Sequence, residues 1–73
     1  DKVDFIKIDT EGAEFKILEG AVKTIEKHRP KIIIEVFKHR KPQLVKWLKD
    51  NDYEIRQILN LENYYIVPLT KKN

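Results

Sequence analysis

Seventy-three residues with a mass of 8.8 kDa, 41% hydrophobic and 37% charged, are enough for one small domain and too few for two. The absence of cysteine excludes a disulfide framework, a thiolate metal site and a thiol nucleophile, and the absence of serine excludes Ser-His-Asp catalysis. Fifteen Lys plus Arg against 12 Asp plus Glu give a net charge of +3. The basic residues (Lys7, Lys16, Lys23, Lys31, Lys46, Lys49, Arg56) are spread along the chain and not interleaved with aromatics, which weighs against a nucleic-acid partner.

Val3 to Ile8 has the β-branched and aromatic content of a strand and runs into the polar turn Asp9-Thr10-Glu11-Gly12. From Ala13 to His28 the spacing becomes helical, with Ile17, Leu18, Ala21, Val22 and Ile25 on one stripe. His28 and Arg29 complement the end of the helix dipole, and Pro30 forbids continuation. Gly20, within that helix, is expected to allow close packing on the sheet.

Lys31 to Phe37 reads as a nearly continuous apolar strand, of the kind found in parallel sheets covered by helices. Pro42 opens a second amphipathic helix carrying Leu44, Val45, Trp47 and Leu48, which fades at Asp50-Asn51-Asp52. Tyr53 to Leu59 and Tyr64 to Leu69 are strands joined by a connection too short to cross a sheet, so they form an antiparallel hairpin. The longest unbroken apolar run is Ile32-Ile33-Ile34, which gives no membrane span and no signal peptide and makes a cytoplasmic location the expectation. The fold class is therefore α/β, a βαβαββ partial Rossmann-like sheet with two parallel strands, a C-terminal antiparallel hairpin and helices packed on it. Because the sequence starts at Asp1 without an initiator Met, we expect a single domain, 1–73, that is a piece of a larger one.

In open sheets of this type, chemistry collects beyond the carboxyl ends of the parallel strands. Four acids converge there: Asp9 ends the first strand, Glu11 and Glu14 lie in the turn and first helical turn, and Glu35 is near the end of the second. Acids in a first helical turn can serve only to satisfy free amides. Glu14 fits that account less well, because it shares a face with Leu18 and Ile25. Glu35 interrupts an apolar strand, so it is either partnered, by Lys7 or a backbone amide, or functional. His39 could act as a base beside them, and Asp9 with Glu35 could hold Mg²⁺, a weaker alternative. No histidine-based metal cluster is formed by His28 and His39. Gly12 permits a sharp strand-to-helix turn, and two glycines in all leave no phosphate-binding loop.

The stretch Asp4 to Glu14 (DFIKIDTEGAE), followed by Leu18, Gly20-Ala21, Arg29-Pro30 and Ile33-Ile34-Glu35, resembles the later half of the FkbM-type methyltransferases. That resemblance covers roughly the first half of the chain. It implies a class I methyltransferase fold and S-adenosylmethionine-dependent methyl transfer to an oxygen of a sugar or other small hydroxyl acceptor. It also implies that Asp9, Glu11, Glu14 and Glu35 border the reaction, with Asp9 and Gly12 next to the cofactor. The family's glycine-rich first loop is not in this sequence, so the 73 residues alone are expected neither to bind the cofactor usefully nor to turn over. Without the family's first three strands, the segment 3–8 becomes an edge through which copies could self-associate. The competing reading is a non-catalytic α/β interaction module that contacts a protein or nucleic acid.

Overall fold

The structure, a computed structural model, describes residues 4–9 and 12–69. Its elements are β1 (Phe5–Ile8), α1 (Glu14–Gly20), α2 (Val22–His28), β2 (Lys31–Glu35), a short 3-10 turn (Lys38–Arg40), α3 (Lys41–Asn51), β3 (Tyr53–Asn60) and β4 (Asn63–Pro68). The four strands form one sheet in the order β1-β2-β4-β3. The βα-β unit makes β1 and β2 parallel, and the terminal hairpin inserts β4 antiparallel beside β2. Element order, the parallel pair and the hairpin are as the sequence predicts. No helix among the described residues is long and apolar enough to cross a membrane.

The core is built from alternate residues of the strands. Ile8, Ile32, Ile34, Val36, Tyr64 and Ile66 meet Leu18 and Ile25 of α1 and α2 and Leu44 and Leu48 of α3, all buried. Each fully buried Ile or Leu contributes about 1.5–3 kcal/mol relative to exposure, so this single layer of contacts is the main source of stability. The intervening strand residues point to the other face, where Lys7 is exposed, Ile33 and Tyr65 are half-buried, and Phe5 is 51% exposed. The expectation that β2 is covered on both sides thus fails among the described residues.

The predicted helix from Ala13 to His28 is two helices. The chain bends at Ala21, whose backbone N–H is shared between the carbonyls of Ile17 and Leu18. Ile17 and Val22, at the two edges of the predicted stripe, are exposed, while Leu18 and Ile25 at its centre are in the core. Gly20 does not pack closely on the sheet: a Cβ there would meet nothing within 4 Å. It lies on the exposed side, beside the bend.

α2 ends at Arg29, which adopts the left-handed conformation (φ 49°) and sends its backbone N–H to the Ile25 carbonyl. The Arg29 guanidinium then reaches across the molecule. It donates to the carbonyls of Asn51 (2.9 Å) and Asp52 (2.7 Å) and lies 4.7 Å from the centre of the Tyr53 ring. Tyr53 returns the link by donating its hydroxyl to the Pro30 carbonyl at 2.6 Å. This reciprocal pair fixes the start of β2 against the α3–β3 turn. Burial raises the Tyr53 hydroxyl above its usual pKa, with Arg29 partly opposing the shift.

Candidate functional site

Register decides whether the predicted acids meet. β1 and β2 pair with Ile6 opposite Ile32 and Ile8 opposite Ile34, so Asp9, the next residue, comes level with Glu35 at the carboxyl end of the sheet. Across β2, Glu35 is the register partner of Asn63 on β4. Neighbouring strands are separated by about 4.8 Å, so this row spans only two strand spacings. Asp9 is exposed. Glu35 is half-buried and engaged in an interaction of its own. Glu11, the remaining acid of the turn, lies outside the described residues, as does Thr10.

The turn after β1 is shaped by Gly12, whose φ of +106° is strained for any residue with a Cβ. Phe37 and Arg40, from the segment following β2, close over it. Arg40 donates from one terminal nitrogen to the Gly12 carbonyl and from Nε to Gln43 Oε1, both at 2.9 Å, with its guanidinium 5.5 Å from the Phe15 ring centre. One side chain therefore ties the loop after β2 to the loop after β1, and so holds together the two segments that carry Asp9 and Glu35. Sequence reasoning missed Arg40. It sits in a run of basic residues that reads as solvated loop, and only its place just before the helix-opening Pro42 hints at an ordered surrounding.

Glu14 departs furthest from ordinary helix chemistry. It occupies the first turn of α1, yet it is fully buried and, among the described residues, neither carboxylate oxygen has a hydrogen-bond partner. The capping account therefore does not hold for this residue, because its oxygens accept no backbone amide. Its helical spacing places it on the same core face as Leu18. A buried carboxyl group without a protein donor is costly, by roughly 1–3 kcal/mol even when neutral. His39 is exposed and stacks on Phe37 with ring centres 6.1 Å apart.

Two concavities frame the sheet ends. The larger, about 710 Å³, includes Asp4, His28, Arg29 and Lys31 and lies at the amino ends of the parallel strands, away from the acids. The other, about 460 Å³, lies on the acid side, between the β3–β4 turn and the start of α3.

The methyltransferase FkbM domain family matches residues 1–66 of the chain. No curated protein and no solved structure matches it. A match over nearly the whole length settles the family: the chain belongs to the FkbM methyltransferases.

Proposed function

We propose that this FkbM methyltransferase chain forms the later half of an S-adenosylmethionine-dependent O-methyltransferase site acting on the hydroxyl of a small molecule or sugar. The observation that carries the reading is the juxtaposition, at one rim of the sheet, of Asp9 and Glu35 from adjacent parallel strands. Glu14 supports it, since an unsatisfied buried carboxyl beneath the same turn is what a fold tolerates where function outweighs stability.

The residues present fit the cofactor in part. Asp9 offers an exposed carboxylate at the end of β1, able to accept from a polar or cationic group. Gly12 has its carbonyl taken by Arg40 and its open side closed by Phe37, so it serves to shape the turn more than to cradle a ligand. S-adenosylmethionine supplies, when bound, an electrophilic methyl group. The protein's part is to position the acceptor and take its proton. In this role Asp9 is the exposed base for the acceptor hydroxyl, Glu35 orients it from the neighbouring strand and Glu11 adds to the acidic rim, while Glu14, buried on the core face, acts on the rim only by shaping the turn above it.

With two glycines in total, the chain has no glycine-rich cradle, so by itself it is expected to bind the cofactor weakly and not to turn over. A micromolar dissociation constant by calorimetry would overturn that expectation. The second, half-covered face of the sheet and the one-sided pairing of β1 fit a larger domain. In isolation the chain is expected to self-associate through the edge of segment 3–8, of which β1 (Phe5–Ile8) is the described part, and sedimentation of a monomer at high concentration would refute this. The functional reading is tested by supplying labelled S-adenosylmethionine and a panel of hydroxylated acceptors to the methyltransferase containing this segment. Label in an acceptor ether supports the reading; label in none supports the interaction-module alternative.

A further inference from the structure

We infer that the cavity of about 460 Å³ between the β3–β4 turn and the start of α3 is an acceptor subsite, shaped for a hydroxylated molecule with an anionic group on an apolar body. The inference rests on the methyl-transfer reading and names its substrate class. The cavity is lined by Lys38, Lys41, Leu61, Glu62 and Tyr64. Along the chain it lies one residue from the rim row, Glu62 preceding Asn63, the register partner of Glu35.

Its walls are fixed. Asn60 Oδ1 accepts from the Glu62 backbone N–H (3.2 Å) and from Asn63 Nδ2 (2.8 Å), which sets the turn. Glu62 then anchors that turn to the end of β2: its carbonyl accepts from Val36 N–H at 2.8 Å and its Oε2 from Lys38 N–H at 2.9 Å. The one acid in the lining is thus held in place by a backbone amide and retains its charge. Lys41 Nζ lies 5.8 Å from the Tyr64 ring centre, and neither the Lys38 nor the Lys41 ammonium has a carboxylate in ion-pairing distance among the described residues. Leu61 is 92% exposed at the turn tip, a large apolar surface with nothing covering it. With two ammonium groups against the one carboxylate of Glu62, the lining keeps a net positive charge beside an apolar wall, which favours a carboxylate or phosphate carried on a ring or chain, and a volume of this size suits a small molecule.

The test uses para-hydroxybenzoate and its neutral analogue para-hydroxybenzamide as probes, followed by amide NMR of the protein. The acid is expected to shift the Lys38, Lys41, Leu61, Glu62 and Tyr64 amides and to bind at least about tenfold more tightly than the amide. Replacing both cations (Lys38→Gln with Lys41→Gln) is expected to bring the two affinities within about twofold. Leu61→Ala removes only exposed apolar surface, so it folds normally and weakens both probes alike. Equal affinities in the parent protein, shifts confined to another surface, or no binding of either probe would overturn the subsite. The two readings fail separately. Acceptors whose KM ignores both lysines would end the subsite and leave methyl transfer intact, whereas charge-selective binding without label transfer would end the methyltransferase reading.

Discussion

Glu14→Met is the most informative single change, because a residue important for function should be one whose removal stabilises the fold. Glu14 has no exposed surface and both of its oxygens lack partners among the described residues, so the wild-type chain carries the desolvation cost with no hydrogen bond from those residues to offset it. Methionine has similar length and no strong polar group, so it fills the same space beside Leu18 without that cost. Even if the carboxyl is neutral, the substitution is expected to stabilise by about 1–3 kcal/mol, and by more if it is charged. For a domain of this size each kcal/mol corresponds to about 4–8 °C in Tm. Urea and thermal unfolding measure the change, and Glu14→Gln is the control, since it leaves polar atoms unsatisfied and should gain much less. A loss of more than about 1 kcal/mol in Glu14→Met would show that the carboxylate has a donor and would refute the reasoning.

Three further outcomes follow from the geometry. Arg40→Ala removes a charged hydrogen bond to the Gly12 carbonyl and the contact with Phe15, and should cost about 2–3 kcal/mol, with Arg40→Lys recovering only a minor part; an unfolding free energy within about 0.5 kcal/mol of wild type would contradict the clamp. Gly12→Ala should cost about 1–3 kcal/mol through backbone strain at φ +106°, since the new Cβ meets Phe37 and Arg40 only at ordinary contact distances, and unchanged stability would show that the turn relaxes. Burial raises the folded pKa of Tyr53 above the usual tyrosine value of 10.0, so the folded state holds the proton longer than the unfolded state. Its contribution is full below that value and is lost as pH rises through the folded pKa; Tyr53→Phe should flatten this alkaline fall in unfolding titrations.

Much of the fold was legible because the local signals agree. The switch from strand content to helical spacing at Asp9–Gly12, the stop at Arg29-Pro30 and the short connection between the last two strands each have one structural solution. The break at Ala21 was not legible, since the apolar spacing of Ile17, Leu18, Ala21, Val22 and Ile25 runs through it without interruption. Gly20 carried the wrong implication for the same reason. At the rim, the level placement of Asp9 and Glu35 follows from the register of the parallel pair, whereas Arg40 depends on a contact between residues 28 apart in sequence that no local pattern encodes. The core-side position of Glu14 was visible in its helical spacing; its lack of any partner is a property of the packed structure.

The decisive measurement is the rate of label transfer from S-adenosylmethionine in the methyltransferase bearing Asp9→Asn, compared with its parent at matched unfolding stability. Loss of a positioned general base predicts a fall in kcat of about 10²–10⁴ with folding unchanged, since Asp9 is exposed and holds no core contact. Transfer at the parental rate would contradict the assignment of chemistry to this rim.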